Sequence, residues 1–301
     1  MPSFEDLVAE GAAVPVEGWD FSYFDGRATE QRPSWGYSRL ISERMSAATR
    51  ALDLQTGGGE VLAGISTPPP VLVATEGWPP SAALARSRLA PLGGVVVEVA
   101  EDADLPFAGS SFDLVVSRHP VFVRWDEVAP VLAPGGCYLS QQVGAASGRE
   151  LIDFMMGPQP VGEARRPERA VAGLTAAGLD VVDLRAEATR MEFFDVAAVI
   201  VFLRKVVWTV PGFTVDAYRE RLHAMTSTSG RTARSSRTRS GSWSRRASRT
   251  DRAAEQVSVT MLGQSRSRSL GHAVGAVSAA GGPPRSPSRS AQCPHRPAGS
   301  T

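Results

Sequence analysis

Lysine is almost missing from this chain of 301 residues: Lys205 stands alone, beside two cysteines and four histidines. No apolar run approaches the ~20 residues needed to span a bilayer, and the longest candidate, Val196 to Leu203, reads as a buried helix or strand. Cys137 and Cys293 are too far apart to make a disulfide framework or a zinc cluster, which fits a reducing compartment. The first ten residues carry Glu5, Asp6 and Glu10 and no apolar stretch flanked by positive charge, so they are not a signal peptide. These absences lead us to expect a soluble, cytoplasmic protein with no membrane partner and no metal.

The near-balance of 32 basic and 31 acidic side chains conceals two unlike parts. Met1 to Met225 holds 19 basic and 29 acidic residues; Thr226 to Thr301 holds 13 arginines against Asp251 and Glu255 alone. Residues 1–225 are long enough for one large core. Of the last 76 residues, 30 are Ser or Arg, and their aliphatic residues set up no sustained period, so the expectation there is a disordered tail.

Residues 1–36 combine acids, Gly and Pro with Trp19, Phe21, Tyr23, Phe24 and Trp35, and read as an aromatic flap over a core. A helix is expected from Tyr37 to Arg50. Short apolar runs follow at Arg50–Leu54, Val71–Thr75, Val95–Val99, Phe112–Ser117 and Cys137–Gln141, nearly continuous in hydrophobicity as strands buried on both faces are. Helical patterns at Glu60–Ala63, Ser81–Leu89 and Trp125–Leu132 separate them, which implies right-handed crossovers and a mostly parallel sheet. Later come helices at Arg149–Gly157 and Arg165–Gly178, a strand at Asp180–Glu192, an ambiguous apolar segment at Asp195–Val206, and a helix at Val215–Met225.

The segment Leu52–Glu60, LDLQTGGGE, is an apolar strand ending in an acid, then three consecutive glycines before a helix. Glycines without β-carbons let a ligand press against bare peptide N–H groups. Counted from Gly57, the dinucleotide fingerprint needs a third glycine where Leu62 stands, and no Gly-Lys-Ser/Thr follows for a P-loop, so a pyrophosphate ligand is disfavoured.

The pattern resembles the first motif of class I S-adenosylmethionine-dependent methyltransferases, of the type 11-like group. Further similar segments follow in order: VLVATE ending in Glu76, EDADLPF from Glu101, FDLVVSRH from Phe112 to His119, and LAPGGCYL from Leu132. The resemblance covers residues 37–225 and implies a Rossmann-like, doubly wound α/β fold that binds adenosylmethionine and moves its methyl group to an acceptor, expected to be a small molecule. It implies cofactor contacts from Asp53, Gln55, Thr56, Gly57, Gly58, Gly59, Glu76, Gly77, Glu101, Asp102 and Ser117, with Gln55 near the methionine end, Glu76 on the ribose hydroxyls and Glu101 or Asp102 near the adenine amino group. A cationic sulfonium without phosphate suits carboxylates and bare backbone. Gln55 departs from the family pattern, standing where the first glycine usually is.

His119 ends the fourth strand at the sheet's carboxyl edge, as a general base or acceptor contact, or as a turn residue before Pro120. Arg118 reads equally as an ion-pair former or a substrate contact. Trp35 and Tyr37 are core residues or pocket walls. The tail admits three readings: electrostatic RNA binding, a neutral linker, or the product of a changed reading frame. The third is favoured because the family's last antiparallel strand finds no apolar segment after His223, so that strand is expected to be missing. An RNA-binding protein and an inactive methyltransferase-like domain are the alternative functions.

Overall fold

The computed structural model describes residues 2–18, 20–232 and 255–265. In chain order the elements are α1 (Phe4–Ala13), β1 (Ala28–Glu30), α2 (Tyr37–Ala47), β2 (Arg50–Leu54), α3 (Glu60–Ala63), β3 (Val71–Glu76), α4 (Pro79–Leu89), β4 (Val95–Glu98), β5 (Phe112–Arg118) and α5 (Trp125–Val131). They continue with β6 (Leu132–Val143), α6 (Arg149–Met156), α7 (Pro167–Ala176), β7 (Leu179–Phe193), α8 (Val196–Lys205), α9 (Arg219–Thr232) and β8 (Glu255–Ser265). The sheet order is β1-β7-β8-β6-β5-β2-β3-β4. Five strands, β4-β3-β2-β5-β6, pair in parallel as the buried apolar runs require.

Alternation within the strands supplies two faces. Ala51, Ala74, Leu114 and Val116 pack with Ile41 and Met45 of α2 and with Ala82, Ala85 and Leu89 of α4. Leu52, Leu54, Val115 and Tyr138 pack on the other side with Val128 and Val131 of α5 and Leu174 of α7. Gly173 is there because α7 crosses Trp125 closely: a Cβ at that position would lie 2.3 Å from the indole.

A third cluster joins the chain's beginning to its later helices. Ser3 and Asp6 form a capping box on α1. The glycine at position 11 lets α1 approach α8 so closely that a Cβ would be 3.0 Å from Ala197 Cα. Arg204 then closes α1 by donating to Gly11 O and Val14 O at 2.7 and 2.8 Å. The ambiguous segment is helical because Asp195 caps it, accepting from Ala198 N at 2.8 Å, and because Val8, Met155, Leu222 and Met225 surround it with apolar partners.

The expected absence of a last strand is corrected by β8, which lies antiparallel between β6 and β7 with Val259 opposite Gln142 and Ala186. Its sequence, EQVSVTMLGQS, places Val257, Val259 and Met261 at a period of two, a short alternation outweighed by the Ser/Arg composition on either side. The missing strand therefore no longer argues for a changed reading frame. The expectations of disorder and RNA contact fall largely on residues 233–254 and 266–301, which lie outside the described residues. Among the described residues no helix is long and apolar enough to cross a membrane.

Candidate functional site

The parallel strands reverse their order of addition at β2: β3 is laid down on one side and β5 on the other. Crevices at the carboxyl ends of strands at such a switch point are where open α/β sheets bind ligands. Asp53, the glycine turn, Glu76, Ser117, Arg118 and His119 all sit at or just past these ends.

Gly57 and Gly59 adopt φ of +64° and +80°. At Gly59 any side chain would also meet Ala85, whose Cα lies 3.2 Å from where a Cβ would be. Gly58 is hemmed in differently: Arg88 donates to its carbonyl at 2.8 Å and pairs with Glu60. The turn is held to the neighbouring strand by Thr56 N donating to Thr75 O at 2.9 Å. Glu76 reaches across, its Oε2 accepting from Gly57 N at 2.7 Å and its Oε1 from Trp78 N at 3.0 Å. Gly77 follows because β3 meets the 99–100 backbone there, leaving a would-be Cβ 3.0 Å from Val99 O.

Gln55, the departure from the family pattern, has φ +55°, a conformation that favours glycine. Its amide compensates by clasping the next loop: Oε1 accepts from Val121 N at 2.6 Å and Nε2 donates to Phe122 O at 2.8 Å. Below the clasp is an apolar slot walled by Leu54, Val99, Leu105, Phe122 and Val123, with Glu101 and Ser117 among its polar residues. The enclosed volume is only about 30 Å³, room for about one water. Gln55 thus closes the 120–123 loop over the slot.

Glu101 faces this slot, whereas Asp102 is not among its walls and offers its backbone carbonyl to Arg124 at 3.0 Å. Ser117 is fully buried, its Oγ 2.8 Å from Tyr138 Oη and 2.9 Å from Ser140 Oγ. Sequence reasoning passed over the slot's apolar walls and Arg124, which binds Asp104 and Asp126 at 2.8 Å and so shapes the 102–105 turn. The three acids at positions 104, 126 and 127 around one arginine were the signal available.

Asp53 is 5% exposed. Burial, reinforced by the charge of Glu76, pushes its carboxyl up to about 7 against the weaker pull of the Thr56 hydroxyl and Arg118. Because the folded state holds the proton more tightly than the unfolded chain, this residue's contribution is most favourable at low pH. It is lost as pH rises from about 4 to about 7. At about 1.4 kcal/mol per unit, Asp53→Asn should flatten that decline and gain a few kcal/mol at pH 8. Urea melts from pH 5 to pH 8 check this; an unchanged slope in the variant refutes it.

His119 has φ +52°, and its amide donates to Gln141 O at 2.7 Å. The crowding of protein atoms, then the charges of Arg118, Arg32 and Arg165, hold its imidazole below the ordinary value, so it is neutral at pH 7. Its Nε2 lies 3.2 Å from the Gln141 amide nitrogen, while Gln141 Oε1 has no partner. Turning that amide over satisfies Oε1 with the imidazole N–H and leaves Nδ1 as the acceptor.

Compared with known proteins, residues 52–139 match the family model described as a methyltransferase domain. A solved structure from Bacillus halodurans C-125, assigned as a methyltransferase, is 16% identical over 77% of this chain and 100% of its own, with a TM-score of 0.49. The YcgJ protein of Bacillus subtilis is 16% identical over 76% and 97%, with a TM-score of 0.47. An S-adenosylmethionine-dependent methyltransferase from Mesorhizobium loti is 16% identical over 50% and 83%, with a TM-score of 0.41. No curated protein sequence matches the chain.

Proposed function

We propose that this protein, whose residues 52–139 match the methyltransferase domain model, is a class I methyltransferase that binds S-adenosylmethionine and methylates a small-molecule acceptor at the carboxyl edge of β5 and β6. The observation that carries the cofactor is Glu76: a carboxylate 8% exposed at a strand end, facing a turn of three glycines. Each of its oxygens accepts one backbone N–H and retains a lone pair, which matches the two hydroxyls of a ribose. The glycine turn offers close backbone to the methionine end, and the apolar slot under Phe122, with Glu101, would take the adenine once the 120–123 loop lifts from Gln55.

When bound, the cofactor supplies a methyl group on a cationic sulfonium. The protein's own contribution is positioning: the Glu76 carboxylate and the half-ionised Asp53 stand at the strand ends beside that positive charge, and the walls of the slot exclude water. Neutral His119 stands on the acceptor side, where Nδ1 can accept a hydrogen bond from the acceptor and orient it.

Calorimetric titration of the purified full chain with S-adenosylmethionine should give saturable heat, and NAD should give none. A folded sample without heat for adenosylmethionine, or with heat for NAD instead, overturns the reading.

A further inference from the structure

Arg118 closes β5 and pairs in register with Gln141 of β6. The segment before α2 is tied across the same edge. Tyr37 Oη donates to Ser117 O at 3.1 Å, Ser34 donates to Glu187 of β7 through its amide and hydroxyl at 2.8 and 2.7 Å, and Gln31 N donates to Arg190 O at 2.8 Å. Arg32 lies between these ties, and the guanidinium charges of Arg118, Arg32 and Arg165 all act on His119.

Arg118 is half-buried and makes no hydrogen bond or ion pair among the described residues. Of the acids whose charge it feels, Glu60 pairs with Arg88, Glu30 lies 3.6 Å from Arg32, and Asp53 is buried with its carboxyl pushed toward the neutral form. In the segment just before α2, Trp35 Nε1 is a further unpaired polar atom, on a side chain 6% exposed. A guanidinium withdrawn from water without a partner is costly, and like charges gathered around one ring repel. An anion relieves both.

We propose that the methyl acceptor carries a carboxylate, and that Arg118, joined at the rim by Arg32 and Arg165, holds it beside His119. This rests on the methyl-transfer reading and adds the acceptor's chemical class to it. A guanidinium presents a planar pair of donors that matches a carboxylate. The edge is thereby divided by charge: buried acids at the glycine turn face the cationic cofactor, and arginines at the end of β5 face an anionic acceptor.

The test titrates benzoate, with benzamide as its neutral counterpart, into the full chain loaded with S-adenosylhomocysteine. Benzoate should bind and benzamide should bind at least tenfold more weakly; Arg118→Gln should weaken benzoate at least tenfold while leaving adenosylhomocysteine within threefold. Arg32→Gln and Arg165→Gln, at exposed positions that cannot unfold the domain, should each weaken benzoate several-fold, which keeps the test decisive if the Arg118 variant misfolds. Equal binding of the two probes, no binding of benzoate, or an Arg118→Gln defect confined to adenosylhomocysteine overturns the proposal; the last outcome assigns Arg118 to the cofactor's own carboxylate. If adenosylhomocysteine itself fails to bind the unsubstituted protein, the methyl-transfer reading fails, and benzoate binding without it is read separately.

Discussion

Glu76→Gln should cost the protein at least a hundredfold in affinity for adenosylmethionine while leaving a folded chain. The carboxylate accepts from Gly57 N and Trp78 N, one on each oxygen. Glutamine replaces one acceptor by an NH₂ donor, which must then face one of those N–H groups or turn toward the ribose and confront hydroxyls without a charge. Hydrogen bonds to a charged group are each worth about 1.5–3 kcal/mol, so losing the charge on two hydroxyls amounts to about two powers of ten or more. Calorimetry measures the affinity, and a thermal melt on the same sample separates it from a folding defect. A loss below tenfold in a well-folded variant shows that Glu76 does not hold the sugar.

The residues legible in the sequence were those whose chemistry depends on the backbone. A triple glycine after an acid-ended strand has few structural meanings, and β2 and α3 begin and end where hydrophobicity and the glycine turn place them. The five parallel strands were legible because burial on both faces leaves a near-continuous apolar run. What could not be read depends on contacts between distant segments. Helix α1 has polar and apolar residues in no decisive pattern; its place against α8 follows from Gly11 meeting Ala197, 186 positions later. The clasp by Gln55 exists only because the 121–122 backbone folds over β2, and Arg118 becomes informative only when its neighbours prove to be paired elsewhere. Strand β8 was missed for a different reason. Averaging over a Ser/Arg-rich stretch erases a short run of alternating residues whose pairing is decided by the gap between β6 and β7.

That strand makes the strongest demand on the chain after residue 225, and one proline tests it. Val259 lies opposite Gln142 on one side and Ala186 on the other, within ladders that run from Ser258 to Gln264 against β6 and from Glu255 to Ser265 against β7. Proline has no N–H to give to either neighbour, and its ring cannot be accommodated in a strand paired on both sides. Val259→Pro should therefore destabilise the protein by about 1–3 kcal/mol for each backbone group left unpaired, a large share of the stability of an ordinary domain. The consequence extends beyond one bond. Displacing β8 exposes the edge of β6 over 137–143 and of β7 over 179–190, two long rows of unpaired backbone groups that recruit other chains. The expected result is a lower midpoint in urea, together with concentration-dependent aggregation that the unsubstituted protein lacks. Ser258→Pro, one residue earlier in the same ladder, should do the same, and a proline at position 240, outside the ladder, should not. If Val259→Pro melts like the parent and stays monodisperse, β8 is not what fills the space between β6 and β7, and the sheet ends at two open edges.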